Sequence, residues 1–377
     1  METASRVMPA GAGAQQTQFG LINLLKAGAA QLIVLHHLAL YGPMADHARS
    51  LLPALFDWLA GDARIAVQVF LVIGGFLAAK SLAPQGLARP GNPLSAMARR
   101  YTKLAPPFIA ATLLAAVASI LASFWMTHDS ISSAPSVPQL AAHALLLHSV
   151  LGYESLSAGA WYVAIDFQLY AGASLLLWLC ARASGGVQRP WLASAAMTLV
   201  VMSSLFYFNR DADWDVWAPY FFGSYGLGML AWWAGDPARR PHAVVVLFLL
   251  MALPALSALM LDFRSRIAVA LGVACVLMLL GRARTGEGWG LANWLGKISY
   301  SIFLVHFPVC LVVNAAFTRF VPAQAEWQLV GTLLAWAASV AAGAGFYRWV
   351  ELPLGRMVHM RRGRQFEAGK PCEIAVH

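Results

Sequence analysis

Charged side chains are scarce in this sequence: Asp, Glu, Lys and Arg make up 11% of it, against 59% hydrophobic residues. That is about half the charged share of an ordinary soluble domain. Water would not tolerate so much apolar surface, whereas lipid solvates it, so a soluble globule is excluded. Cysteine is scarce too. Cys180, Cys275 and Cys310 fall in apolar runs and Cys372 in a basic tail, so neither a disulfide framework nor a metal-ligand spacing emerges. No metal is expected. The first eighteen residues lack an apolar core followed by a cleavage site, and the expectation is a cytoplasmic tail, not a signal peptide. Acids are outnumbered 17 to 26 by Lys and Arg. Such an excess can serve nucleic acid, but here the cations gather on one side of a membrane. They read as topology signals and as candidates for holding an anionic cofactor, and no nucleic-acid partner is expected.

What the sequence does have is long apolar runs. A spanning helix needs about 20 such residues. Ten stretches qualify: 19–41, 65–82, 104–126, 159–181, 190–208, 217–234, 243–261, 267–281, 298–317 and 327–350, the eighth being short. The fold class is therefore an all-α, polytopic membrane bundle with about ten transmembrane helices and both termini cytoplasmic. On this topology only Arg49, Arg64, Arg210, Arg264, Arg266 and Arg319, of the 26 Lys and Arg, face outward. That asymmetry follows from the resistance of Lys and Arg to translocation. A further stretch, 140–151, is too short to span and carries His143 and His148. It is expected at the outer surface or capping the bundle. Loops are short and no internal repeat is visible, which removes one sign of a transporter. The chain divides into a tail at 1–18, a membrane domain at 19–356 and a basic tail at 357–377 that can rest on anionic lipid.

Function is sought where an ionisable group sits inside a span, because each costs about 2.5–3.5 kcal/mol on insertion scales. Lys26 and His37 share the first helix. Eleven residues at 100° leave them only about 20° apart in azimuth and about 16 Å apart along the axis. Lys26 can snorkel to the headgroups, or it can line a channel with the imidazole. His36 points about 100° away from His37. Asp166 lies in the outer half of the fourth span. It can orient the His37 imidazole, as a triad carboxylate does, or it can make an interhelical pair. Gln168 and Tyr170 add polar atoms nearby. His306, just before Pro308, suits either a supporting role or a hydrogen bond at a proline kink. Arg99, Arg100 and Lys103 precede Pro106-Pro107 where a cytoplasmic loop enters the third span. They are either topology signals or a phosphate cradle.

These pieces resemble, in order and form, acyltransferase family 3, the bacterial membrane O-acyltransferases that modify surface glycans and related acceptors. Lys26 and His37 match the family's basic residue, ten-residue gap and histidine. Val72-Ile-Gly-Gly-Phe76 is similar to its Val-Ile-Ser-Gly-Phe segment, and Arg99 to Pro106 to its basic cluster leading into proline. Trp161 to Tyr170 resembles Trp-x-x-x-x-Glu-x-Gln-x-Tyr. Leu295 to Pro308 is close to its ninth-helix signature, and Tyr347-Arg-Trp-Val-Glu-Leu-Pro353 to its closing motif. Lys26 and Lys103 stand where arginine is usual, Gly74 for serine, Asp166 for glutamate and Phe167 for a second acid.

The resemblance implies acyl transfer from a cytoplasmic acyl-CoA, acetyl-CoA being the expected donor, to a hydroxyl of a glycan or related acceptor at the outer side. The implied setting is the bacterial cytoplasmic membrane. His37 would be the base and Asp166 its orienting partner; Lys26, Arg99, Arg100 and Lys103 would hold the CoA phosphates. Gln168, Tyr300 and Ser301 are candidates for the oxyanion donor, with Tyr170, His306 and Glu351 supporting. Direct transfer and a histidine-bound acyl intermediate both remain open. The alternative is a transporter or flippase for a lipid-linked glycan. Oligomeric state is not legible.

Overall fold

The structure is a computed structural model that describes residues 20–88, 91–185, 187, 189–282 and 290–357. The tail expected at 1–18 lies outside the described residues, as does the one expected at 357–377 apart from Met357, together with Arg6, Arg89, Arg284, Arg361 and Cys372. Among the described residues there is no strand. Eight helical segments among those residues are long and apolar enough to cross a membrane.

The helices are α1 (Gly20–Leu40), α2 (Pro43–Ala48), α3 (Pro53–Gly61), α4 (Ala66–Leu82), α5 (Pro93–Ser123), α6 (Val137–Ala144) and α7 (Ala160–Ala183). They continue as α8 (Pro190–Phe206), α9 (Ala218–Ala234), α10 (Pro241–Leu261), α11 (Ser265–Leu280), α12 (Gly290–Phe320) and α13 (Ala325–Phe346). Each of the ten expected stretches coincides with one of these. The two that are not among those eight spans are α9, with 17 residues, and α11, with 16; α4 and α8 reach spanning length through the helical turns that adjoin them. Many start on proline, among them α2, α8 and α10, because the first turn has no use for the N–H that proline lacks. Helix α6 begins on a capping box in which Ser136 and Gln139 serve each other's backbone N–H groups.

Two expected boundaries move. Helix α5 starts at Pro93, eleven residues before the apolar run, so Arg99, Arg100 and Lys103 sit on a helix and not in a loop entry. Helix α13 runs on through a π-helical turn, Tyr347–Glu351. Such widened turns concentrate at functional positions.

The described residues group into two compact units. Of the described residues, those up to Ile33, from Gly61 to Pro93 and from Gln168 to Ser299 form the first, and those from Val34 to Ala60, from Leu94 to Phe167 and from Tyr300 onward the second. At the centre of the first unit is α9, packed against α4, α8, α10 and α11. Its buried residues run almost unbroken from Tyr220 to Ala234, which is why a helix of its length needs no lipid-facing stripe. Helices α4 and α9 touch backbone to backbone. A Cβ on Gly75 would strike the Tyr225 carbonyl, and one on Gly228 the Val72 carbonyl. Small residues allow this approach between membrane helices, so Gly75 of the Val72–Phe76 segment is explained by packing.

In the second unit α12 carries the interior. Ile302, Phe303, Val305, His306, Phe307, Cys310 and Leu311 are all buried. The end of α1 is pinned to α12 by Asn314, which donates to the Tyr41 carbonyl at 3.3 Å and accepts from Met44 N–H at 3.2 Å. Gly42 takes φ +99°, and its Cβ position would collide with the same amide, so glycine is required in that bend.

Candidate functional site

The second unit brings together most of the polar residues singled out from the sequence. His37 and His306 are buried at 8% and 1% exposure. Nδ1 of His37 lies 2.7 Å from Nε2 of His306, with the ring planes 6° apart. The far nitrogen of His306, Nδ1, faces the Phe303 carbonyl at 2.8 Å and the Ile302 carbonyl at 3.3 Å on its own helix. Tyr41 packs on His37 with ring centroids 5.5 Å apart. His36, turned away as the helical period requires, bonds the Leu59 carbonyl at 2.8 Å and so ties α1 to α3.

Asp166 is not the partner of His37. Its carboxylate accepts from Nη2 of Arg100 at 2.5 Å, with 7% of the Asp166 side chain and 23% of the Arg100 side chain exposed. The nitrogen of His37 that a carboxylate would orient is occupied by His306 instead. The reason is geometric: α5 is helical through residues 99–103, which turns Arg100 onto α7. Of the two readings open for Asp166, the interhelical pair is the one present.

Lys103 lies within electrostatic reach of Arg100, Asp166 and Glu351. Glu351, in the π-turn, accepts from Ser301 Oγ at 2.6 Å. Tyr300 donates its hydroxyl to the Leu104 carbonyl at 3.0 Å, beside Pro106 and Pro107, which cannot bond back along α5. Both hydroxyls offered as oxyanion donors thus spend their protons elsewhere, one on a carboxylate and one on the backbone. Arg99 is exposed and shares a face of α5 with Lys103, four residues on.

Lys26, Gln168 and Tyr170 belong to the first unit. Lys26 sits in the second turn of α1. Tyr170 is buried, its hydroxyl 3.5 Å from Ser81 Oγ. Among the described residues no group of three or more His, Cys, Asp or Glu is placed to hold a metal ion.

Sequence reasoning gave His306 a supporting role but missed its bond to His37, since helical arithmetic reports positions on one helix and not across two. It also missed the pair formed by His143 and His148, whose rings stack 4.0 Å apart. His143 is saturated, with Nδ1 on the Gln139 carbonyl at 2.9 Å and Nε2 accepting from Leu156 N–H at 3.2 Å. Neither ring nitrogen of His148 bonds to a described residue. Burial lowers the pKa of both, that of His148 to about 3, with the neighbouring His143 adding to the effect.

Long apolar helices with ionisable groups paired inside them define a multi-pass membrane protein. The acyltransferase domain of family 3 (Acyl_transf_3) matches residues 20–347, nearly the whole chain, and the chain belongs to that family of membrane acyltransferases. Comparison with curated proteins and with solved structures gave no match.

Proposed function

We propose that this acyltransferase moves an acyl group, acetyl in the simplest case, from a cytoplasmic acyl-CoA to a hydroxyl of a glycan or related acceptor on the far side of the bacterial cytoplasmic membrane. The observation that carries this reading, given the family, is His37: a buried imidazole on a spanning helix, held by a second imidazole. An imidazole can take a hydroxyl proton near neutral pH. In the proposed step the acceptor O–H gives its proton to His37. Its oxygen attacks the thioester carbonyl carbon, the C–S bond breaks, and the departing thiolate takes the proton from His37. The products are an ester and free CoA thiol, and His37 is restored.

Along α1 the roughly 16 Å from Lys26 to His37 is of the order of an extended pantetheine arm, about 20 Å. The reading therefore gives Lys26 the charged end of the donor. Arg99, Arg100 and Lys103 of α5 are the other candidates for its phosphates, Arg99 and Lys103 because they are exposed on one helix face.

The test uses the purified full chain in lipid nanodiscs with labelled acetyl-CoA, and membranes of the expressing cells as the source of acceptor. His37→Ala is expected to abolish label transfer while acetyl-CoA still raises its melting temperature. Transfer at the wild-type rate by that variant removes His37 from the chemistry.

A further inference from the structure

We propose that His306 is a positioning residue that fixes the proton of His37 on Nδ1 and thereby makes Nε2 the basic nitrogen. The inference rests on the acyl-transfer reading above and specifies how its base is prepared.

A backbone carbonyl oxygen can only accept a hydrogen bond. Nδ1 of His306 faces two of them, Phe303 O at 2.8 Å and Ile302 O at 3.3 Å, so that nitrogen carries a proton. In a neutral imidazole the other nitrogen then holds a lone pair. This second nitrogen, Nε2, lies 2.7 Å from Nδ1 of His37. A lone pair there requires a donor opposite, so His37 bears its proton on Nδ1. What remains on His37 is a lone pair at Nε2, the nitrogen that makes no hydrogen bond to a described residue.

The opposite tautomer is blocked twice. Moving the His37 proton to Nε2 would set two lone pairs against each other across the 2.7 Å contact. Moving the His306 proton as well would relieve that clash but turn a lone pair toward the Phe303 and Ile302 carbonyls. Nor can His306 swing away from those carbonyls at little cost. They belong to the preceding turn of the same helix, and Phe303 is wedged against the start of α7: its ring lies 5.3 Å from that of Tyr162, and a Cβ on Gly159, just before the helix, would meet it. Both imidazoles are buried, so water competes poorly for either bond.

The arrangement also acts during the step. When Nε2 of His37 takes the acceptor proton, its Nδ1–H bond to His306 becomes charge-assisted and shortens the excursion to imidazolium. A triad carboxylate plays that part with a full negative charge; His306 plays it with a neutral ring, which avoids burying an anion. Asp166, the carboxylate nearest in kind, is spent on Arg100.

The experiment compares His306→Leu, His306→Gln and His37→Ala in nanodiscs, with labelled acetyl-CoA as donor and the same membranes as acceptor. Leu fills the space and offers no acceptor; the Gln amide oxygen can accept from His37 Nδ1–H. His306→Leu is expected to lower kcat about 10²-fold, with KM for acetyl-CoA within about twofold of wild type. His306→Gln is expected to recover at least about tenfold of that loss. A kcat for His306→Leu within about threefold of wild type overturns the proposal, and so does a Gln variant no better than Leu. If His306→Leu does not fold, judged by loss of the acetyl-CoA melting shift, His306→Asn takes its place. The shorter amide then has to fall well below Gln, and equality overturns the proposal. His37→Ala keeps the two readings apart. Activity surviving in it sinks the base assignment itself, whereas activity lost in it but kept in His306→Leu sinks only the role of His306.

Discussion

In the first unit, half-buried arginines serve the backbone. Arg239 donates from Nε to the Trp233 carbonyl and from Nη2 to the Gln85 carbonyl, each at 2.7 Å, and Arg282 reaches the Trp232 carbonyl at 2.9 Å. Trp232 and Trp233 return the favour with indole N–H bonds to Pro84 and Ala83 past the end of α4. At another corner Arg264 bonds the Leu205 carbonyl and both oxygens of Asn209, while Arg266 bonds Tyr220 and the Asn209 carbonyl. Each of these cations meets the orphan carbonyls at a helix C-terminus, where the dipole also favours positive charge. Arg282 also pairs with Asp236 past the helix ends, at 3.3 Å. In the second unit Tyr300 and His36 bond backbone carbonyls too, but three pairs of polar side chains meet one another inside the spans: His37 with His306, Arg100 with Asp166, Ser301 with Glu351. The first pattern closes off backbone groups that would otherwise be unsatisfied in lipid. The second buries groups that nothing in the fold obliges it to bury, a cost that the proposed acyl-transfer role accounts for.

The comparison is broken or kept most decisively by the Arg100–Asp166 pair. Asp166→Leu takes from the half-buried Arg100 guanidinium the carboxylate it donates to, and is expected to cost roughly 3–5 kcal/mol. Adding Arg100→Leu removes the guanidinium as well, so the double variant is expected to regain most of that stability. Neither variant is expected to transfer acetyl groups at more than a trace level. Thermal unfolding in detergent, beside the transfer assay, reads both. A double variant no more stable than the single one would make the pair a structural clamp, like the arginines of the first unit.

A smaller effect is expected from the opposite side. Arg264→Ala strips three hydrogen bonds, one from Leu205 at the end of α8 and two from Asn209 beyond it, and should cost about 2–3 kcal/mol. Activity per folded molecule should stay at the wild-type level. A lowered kcat at unchanged folded fraction would place this corner among the functional groups and erase the distinction drawn above.

How much of this could be read beforehand follows from what hydropathy and helical period measure. They placed the spans, because twenty apolar residues have few other fates. They missed the first eleven residues of α5, where Arg99 and Arg100 make a helix look like a loop, and they could not tell that α9 is wrapped by its neighbours and not by lipid. Charges inside spans were visible one by one, and so were Lys26 and His37 on one helix. Partnership was not. Whether Asp166 meets His37 or Arg100 depends on how α7 is rotated against α5, and no spacing within either helix records that. The hydroxyls of Tyr300 and Ser301 looked available for the same reason: their acceptors, Leu104 and Glu351, come from distant parts of the chain.

The gentlest perturbation concerns His148, a buried ionisable group of the second unit that stacks on His143 but pairs with nothing by hydrogen bond among the described residues. It therefore fits neither pattern. Its folded-state pKa, lowered to about 3 by burial, lies below the 6.5 of the unfolded chain. Between those two values the unfolded state binds a proton that the folded state refuses, so stability rises with pH and is lost on acidification. From pH 7.5 to pH 5.5 the loss from this residue is about 1.4 kcal/mol. His143, lowered in the same direction, adds to it. His148→Leu is expected to flatten that part of the melting-temperature profile and to leave kcat for acetyl transfer unchanged at pH 7.5. A variant with the wild-type slope would mean that the acid sensitivity arises elsewhere. A variant with a flat slope and a collapsed kcat would move His148 into the company of His37 and His306, as a third imidazole that this part of the protein keeps for its chemistry.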